Sequence, residues 1–329
     1  MANERTVLAM LMNSTILVTG GAGAIGANLV NELAQYNQII VLDNLASGHI
    51  VNIPPLENVD FINASILDDD ALRLIFTRYS IDYIFHLAAN FANQNSVLYP
   101  RRDLEVNSLG TLKLLQYSQD SGIKCFIYTS SSCVYGKEAW LRDESTMEYD
   151  PETPYAISKL SGEMYVNFFY RYWKVPAVIT RIFNSYGPGE YPGPLRNVIT
   201  NFFWAAVNER PLVVTGRGDE TRDFTFVKDT VEGLLLAAAT ETAYGQVFNI
   251  GTGQATKIID IARKIVALTG SKSTLSFGEQ RPWDNISHRR ANIDKARSVL
   301  GFEPAFDIDT GLSMTLAWFE KQKRNDRGF

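Results

Sequence analysis

The sequence predicts an α/β fold built on a doubly wound parallel sheet, and three observations carry that prediction. Short runs rich in β-branched and aromatic residues read as continuous apolar strands, the pattern of strands buried on both faces. Helix-length segments separate them, so strand and helix alternate through the first half of the chain. The first strand runs directly into a glycine-rich turn that opens a helix.

In chain order, "TILVTG" precedes a helical "AIGANLVNELAQY", and "QIIVLDN" follows as the second strand. "VDFINASIL" precedes "DDDALRLIFTRYS", and "YIFHLAA" comes before "PRRDLEVNSLGTLKLLQYSQDSG". "KCFIYTSS" leads through a loop to "PYAISKLSGEMYVNFFYRYW", and "PAVITRIF" closes the series. After Phe183 the character changes to a Gly/Pro/Tyr loop, "NSYGPGEYPGP", then a helical "NVITNFFWAAVNE" and a strand "PLVVTG". "GQVFNIGTG" reads as another strand. The stripe Ile258, Ile261, Ala262, Ile265 and Leu268 marks an amphipathic helix ended by Gly270. The expected division is a nucleotide-binding domain over 1–187 with a returning segment at about 224–252. Segments 188–223 and 253–329 form a smaller, discontinuous C-terminal substrate domain over the strand ends, where ligands of such sheets bind.

With 329 residues, 46% hydrophobic and 20% charged, the composition is that of a globular protein with room for a large core. A net charge of −5 leaves no basic footprint for nucleic acid. Cys125 and Cys133 are too few for a disulfide framework, and no C-x-x-C pair holds zinc; no metal is expected. No apolar run approaches the roughly 18 residues of a membrane span. The N-terminal "MANERTVLAMLMNS" lacks the basic region and cleavage site of a signal peptide; it reads as a ragged extension, and a cytoplasmic location is expected.

Gly20, Gly23 and Gly26 of "VTGGAGAIG" have the spacing a pyrophosphate needs: a tight turn, close backbone approach, and helix N–H groups aimed at the ligand. A Gly-rich turn without ligand would look the same in isolation. The second strand, however, ends in Asp43, where a carboxylate can accept both hydroxyls of an adenosine ribose. No arginine follows in "NLASGHI" to compensate a 2′-phosphate, which favours NAD over NADP. An Asp at a strand end is otherwise a common turn cap.

Tyr155 and Lys159 of "PYAISK" lie four residues apart, on one face of a helix that Thr153 can cap with Pro154 in its first turn. A free tyrosine, with a pKa near 10, is a poor base at neutral pH. A neighbouring ammonium and a positive nicotinamide ring would favour the phenolate; a depression of about three units is worth roughly 4 kcal/mol. An exposed Tyr–Lys pair is the bland alternative. Against it stands the strand end "TSSS", about two dozen residues earlier, whose Ser131 can hydrogen-bond the oxygen that Tyr155 deprotonates.

Together, "TGGAGAIG", "LDN", "HLAA", "SSSCVYG", "YAISK", "RIFNSYGP" and "TRDFTFVKD" resemble the extended short-chain dehydrogenase/reductases that act on nucleotide sugars, from about Ile16 to the "RPWD…ANIDKA" segment. "VLDNLASG" and "SSSCVYG" are most similar to UDP-glucose 4-epimerases. The resemblance implies a Rossmann-like sheet and an NAD-dependent 4-epimerase acting on a UDP-hexose such as UDP-glucose or UDP-galactose. Its chemistry is transient oxidation at C4, turnover of the 4-keto sugar and return of hydride to the other face. Tyr155 would be the acid/base, Lys159 its tuner and a grip on the nicotinamide ribose, and Ser131 the partner of O4. The implied cofactor contacts add Ala24, Ile25, Asn44, Ser65, Ile66, Leu87, Ala88, Ala89 and Asn107. Ser132, Asn184, Arg222, Arg281 and Asp284 fall where the family holds substrate, the arginines and Asn184 on the diphosphate and Asp284 near the nucleoside ribose.

Departures narrow this reading. Ser65 replaces the aspartate that often meets the adenine amino group. Relatives acting on glucuronate tend to carry an arginine after "YGP"; Gly189 and Glu190 stand here, which favours a neutral sugar. Sister dehydratases carry Asp-Glu where this chain has Ser132 and Cys133, and the decarboxylases carry a glutamate at the Cys133 position. Elimination needs an acid and a base that serine and a neutral thiol supply poorly. Cys133 itself is expected to be a small buried hydrophobe and His86 a packed core residue. Alternatives are a UDP-glucuronate 4-epimerase, another NDP-sugar epimerase such as a CDP-sugar 2-epimerase, and a non-catalytic NAD(H)-binding sensor. The family also implies a homodimer, which suits the apolar circumference made by Leu160, Met164, Tyr165, Phe168, Phe169 and Tyr172.

Overall fold

The computed structural model describes residues 9–136, 141–145, 151–281 and 286–324. β1 (Thr15–Thr19) leads into α1 (Ala24–Leu33) and β2 (Gln38–Asp43). β3 (Val59–Asn63), α2 (Asp69–Arg78), β4 (Tyr83–His86) and α3 (Gly110–Ser118) follow. Then come β5 (Cys125–Ser131), α4 (Pro154–Phe168) and β6 (Ala177–Ile182). The remainder contains α5 (Val198–Val207), β7 (Leu212–Thr215), α6 (Val227–Ala239), β8 (Val247–Ile250), α7 (Ile258–Thr269), β9 (Leu275–Gly278) and α8 (Ile308–Arg324).

Seven strands form one parallel sheet in the order β8-β6-β5-β4-β1-β2-β3. Strands β1, β4 and β5 are buried almost throughout because helices cover both faces, as their continuous apolar runs require. Leu29, Val30 and Leu33 of α1 pack with Leu234 and Leu235 of α6 on one face. Leu72, Leu114, Leu115 and Val166, from α2, α3 and α4, cover the other. The chain winds one way from β1 to β3 and the other way from β4 onward, so a crevice opens between the ends of β1 and β4.

β8 returns to the edge of this sheet, in register Val247↔Ile179 through Ile250↔Ile182. Beyond the strand ends, α5, α7 and α8 build a separate core from Phe202, Phe203, Ile261, Ile265, Leu312 and Phe319, against the short parallel pair β7–β9. The expectation of a ragged N-terminal extension fails at Leu11, which is fully buried among the α1 and α6 side chains. Among the described residues no helix is long and apolar enough to cross a membrane.

Candidate active site

The turn after β1 is fixed by sterics. Gly20 has φ +73°, and a Cβ there would lie 2.6 Å from the Ala88 nitrogen, so the loops after β1 and β4 touch at the crevice. A Cβ on Gly26 would collide with the Gly20 carbonyl. Gly23 donates back to the Gly20 carbonyl (3.2 Å), and the α1 ladder starts with Ala27 N–H to the Gly23 carbonyl (2.8 Å). The remaining N–H groups of the first turn face a cleft that suits an anionic pyrophosphate. The Asp43 carboxylate braces this loop, accepting from Ala22 N–H (3.0 Å) and Leu45 N–H (2.8 Å), and still borders the cleft.

That cleft, about 1050 Å³, extends from the glycine turn across the strand ends to α5, Arg281 and Arg289. Gly20, Gly23, Ala24, Ile25 and Gly26 line it at the helix end, and Asp43, Asn44, Ser65 and Ile66 line it beyond β2 and β3. Leu87, Ala88 and Ala89 form its floor after β4. Asn107 is not on the lining. It is buried behind the floor, accepting from Asn90 N–H (2.7 Å) and donating to Asp103 Oδ1 (2.9 Å) and Ser158 Oγ (3.1 Å), so it acts on the site through neighbours.

Ser131, Ser132, Tyr155 and Lys159 meet on the same wall. Thr153 caps α4, accepting from Ala156 N–H (3.2 Å), and its hydroxyl donates to Asn93 Oδ1 (2.7 Å); Pro154 fills the first turn. Lys159, fully enclosed, donates to the Thr129 carbonyl (2.9 Å). Burial pushes its ammonium down to about 8, against the pull of the Asp103 and Glu163 carboxylates. For Tyr155 the protein's own groups act mostly against the phenolate: burial pushes its phenol up, the Cys133 sulfur adds to the rise, and the Ser131 hydroxyl opposes it. The Lys159 ammonium is not among the groups that counter that burial.

Asn184, Arg222 and Arg281 also border the cleft. The Asn184 side-chain oxygen is buried without an acceptor's partner among the described residues. Arg222 Nη1 donates to the Thr221 carbonyl (2.9 Å), and adjacent Asp223 pins the wall by accepting from Thr252, Gly253 and Ala291 N–H groups at 2.9–3.1 Å. Asp284 lies outside the described residues.

The structure adds residues that the sequence did not flag. Asp103 is wholly buried near Lys159, and burial raises its carboxyl while Ser158, Lys159 and Asn90 hold it down. Glu163 pairs with Arg181 through two bonds (2.9 and 2.7 Å) and accepts from Ser130 (2.5 Å), tying α4 to β5 and β6. Cys133 is a partly exposed lining residue, not a packed hydrophobe. Asn93 Nδ2 (3.4 Å) and Arg289 Nη1 (3.5 Å) donate to its sulfur, and the Arg289 charge leads the effects that lower its thiol against burial. His86 is structural as expected: Thr19 and Thr111 hydroxyls satisfy its ring nitrogens (2.7 and 2.9 Å), and burial pushes it down to about 3.

The loop carrying Gly189 and Glu190 packs between α1 and α5. Gly189 packs beside Ala24 and Asn28 of α1, and Asn28 and Asn52 donate to the Pro188 and Gly189 carbonyls. Glu190 is buried against the start of α5, where burial pushes its carboxyl up to about 7. Glu190 also lines the cleft at this end.

The profile described as "NAD dependent epimerase/dehydratase family" matches residues 16–251. A UDP-glucose 4-epimerase of Mycolicibacterium smegmatis is 33% identical over 94% of this chain and 99% of its own length. A solved epimerase structure from Methanothermobacter thermautotrophicus superposes with a TM-score of 0.95 at 43% identity, covering 98% of this chain and 96% of the other. A UDP-glucose 4-epimerase of Thermotoga maritima, solved with UDP-glucose, gives 0.89 at 33% identity, covering 94% and 99%. Other relatives over a similar span are named dTDP-D-glucose 4,6-dehydratase and UDP-glucuronic acid decarboxylase. The chain belongs to the NAD-dependent epimerase/dehydratase family.

Proposed function

We propose that the protein is an NAD-dependent nucleotide-sugar 4-epimerase, with UDP as the favoured nucleotide. The observation that carries this reading is the wall on which Ser131, Tyr155 and Lys159 meet, next to a position occupied by Cys133 and not by a carboxylate. Bound NAD would supply reversible oxidation at C4, held by the glycine turn and Asp43. Ser131 orients the O4 hydroxyl toward Tyr155. Tyr155 receives that proton as C4 is oxidised and returns it when the ketone is reduced from the other face. The phenolate must be favoured by positive charge, which Lys159 and a cationic nicotinamide provide together.

UDP is supported by the names of the relatives and by Arg222 and Arg281 on the cleft wall, where guanidinium groups suit a diphosphate. Ser132 and Cys133 supply neither the acid nor the base of a 4,6-elimination, which separates this reading from the dehydratases. The test is NMR analysis of products from UDP-hexoses with the NAD-loaded protein. Equilibration of the two C4 epimers is the expected result; a 6-deoxy-4-keto product, or reduced cofactor with no epimer, would overturn it.

A further inference from the structure

We propose that the sugar end of the cleft takes a nucleotide sugar bearing a carboxylate next to C4, and that Arg289 receives that carboxylate. The inference rests on the 4-oxidation reading, which places O4 between Ser131 and Tyr155.

Arg289 lines the cleft yet is only 6% exposed. Its Nη1 lies 3.5 Å from Cys133 Sγ, and the Cys133 N–H lies 3.2 Å from Ser131 Oγ. The guanidinium is thus one residue away from the hydroxyl that meets the reacting oxygen. The Arg289 N–H donates to the Thr221 carbonyl (3.2 Å), so Arg289 neighbours Arg222 on the cleft wall, and its contact with Cys133 puts it on the side of Ser131.

Its partners do not account for it. Arg289 forms no ion pair among the described residues, its Nε is buried without an acceptor, and sulfur is a weak acceptor for Nη1. A buried guanidinium left this way is costly, and such a group is retained where a ligand completes it. Arg142, 2% exposed behind Arg289, adds to the positive potential: its Nε and Nη2 also lack acceptors. Burial, Arg289 and Arg222 push Arg142 down to about 10, and Tyr135 and Glu152 offset only part of this. The field at this end of the cleft favours an anion.

Ring geometry says where the anion sits. The neighbours of C4 are C5 and C3, so a carboxylate near Ser131 hangs either from C5, as in a hexuronate, or from an ether on O3. Either would form charge-assisted, bidentate bonds with a guanidinium.

The test compares two substrate pairs on the NAD-loaded protein: UDP-glucose with UDP-glucuronate, and UDP-N-acetylglucosamine with its 3-O-lactyl ether. Affinity is read by calorimetry and kcat/KM by product NMR. The acidic member of one pair is expected to be favoured at least tenfold, and the pair identifies whether the carboxylate hangs from C5 or O3. Arg289→Met should cost the acidic sugar about a hundredfold more than its neutral counterpart, the scale of removing one partner of a buried charge pair. Arg289→Lys should recover part of that difference. Removing an unpaired buried charge should leave the melting temperature unchanged or higher. Preference for the neutral sugar in both pairs, or equal losses for both members in Arg289→Met, overturns the inference. Arg289-dependent binding of an acidic sugar without C4 epimerisation would overturn the 4-epimerase reading and leave this one standing.

Discussion

The Lys159 ammonium donates to the Thr129 carbonyl at 2.9 Å and stands 6.0 Å from the centre of the Tyr155 ring. The lysine is thereby anchored to β5, and in the proposed chemistry its charge would reach the phenol through space. Tyr155→Phe removes the proposed proton acceptor while keeping the ring that packs there. Turnover should fall by about 10²–10⁴-fold, the usual worth of a positioned acid/base, with NAD affinity within a few-fold of the parent. Unchanged epimerisation in Tyr155→Phe would remove it from the chemistry.

Burial that pushes Lys159 down to about 8 has a consequence for stability. In the unfolded chain a lysine titrates at about 10.4. Between these values the unfolded state binds more protons, so this group makes the cofactor-free protein more stable as pH rises from about 8 towards 10. Below that window both states are protonated, and the cost of the buried ammonium is constant. Denaturant midpoints of the parent and Lys159→Met, compared across the window, isolate the effect. The parent should gain on the variant as pH rises; parallel profiles would contradict it.

The glycine turn and the strand series were legible in the sequence because both rest on local signals: residue spacing, continuous apolar runs, and an Asp at a strand end. The Thr153 cap and the Tyr155–Lys159 pair were legible for the same reason. The support behind them was not. Asn107 reaches Ser158 across 51 positions and Arg289 reaches Cys133 across 156, and no local pattern announces either meeting. The burial that raises the Tyr155 phenol was not legible because desolvation is a property of the assembled wall, whereas i, i+4 spacing shows only the lysine. Gly189 and Glu190 were assigned to the sugar by position in a motif; the loop folds Gly189 onto α1, off the cleft lining, while Glu190 lines the cleft at the start of α5.

Asp43 holds the glycine turn as well as facing the cleft, so its substitutions separate two effects. Asp43→Ala loses the acceptor for ribose hydroxyls together with the braces to Ala22 and Leu45. Hydrogen bonds to a charged group contribute roughly 1.5–3 kcal/mol each, so NAD affinity should fall at least tenfold. Asp43→Asn retains a carbonyl oxygen for one brace and should fall between the two. Calorimetric titration with NAD measures both. NAD affinity unaffected in Asp43→Ala would place the adenosine elsewhere.

The Glu163–Arg181 pair sits beneath the catalytic wall with both side chains almost fully enclosed (3% and 4% exposed). Glu163→Gln leaves the Arg181 charge without its counterion, and breaking one side of such a pair costs about 3–5 kcal/mol. The urea midpoint should drop accordingly. The bond from Ser130 to Glu163 should weaken too, loosening the strand end that carries Ser131. A midpoint within experimental scatter of the parent would show that the pair is not what ties α4 to β5 and β6.

Helix α4 is apolar on two sides, and only one of them is used within the subunit. Leu160 and Phe169 point into the core, whereas Ile157, Met164, Phe168 and Tyr172 are each more than half exposed, with the Phe168 and Tyr172 rings stacked at 5.5 Å. Leu98, Tyr99 and Leu104, on the segment that packs beside α4, are exposed as well. Apolar surface of this extent at one place is stabilised by burial, and a second copy of the same face is self-complementary under two-fold symmetry. Sedimentation at low micromolar concentration should therefore report a dimer. Met164→Asp combined with Phe168→Asp should give a folded monomer that still binds NAD, because neither side chain borders the cleft. A monomeric parent would show that this face stays open to solvent, and a dimer surviving both substitutions would place the interface elsewhere.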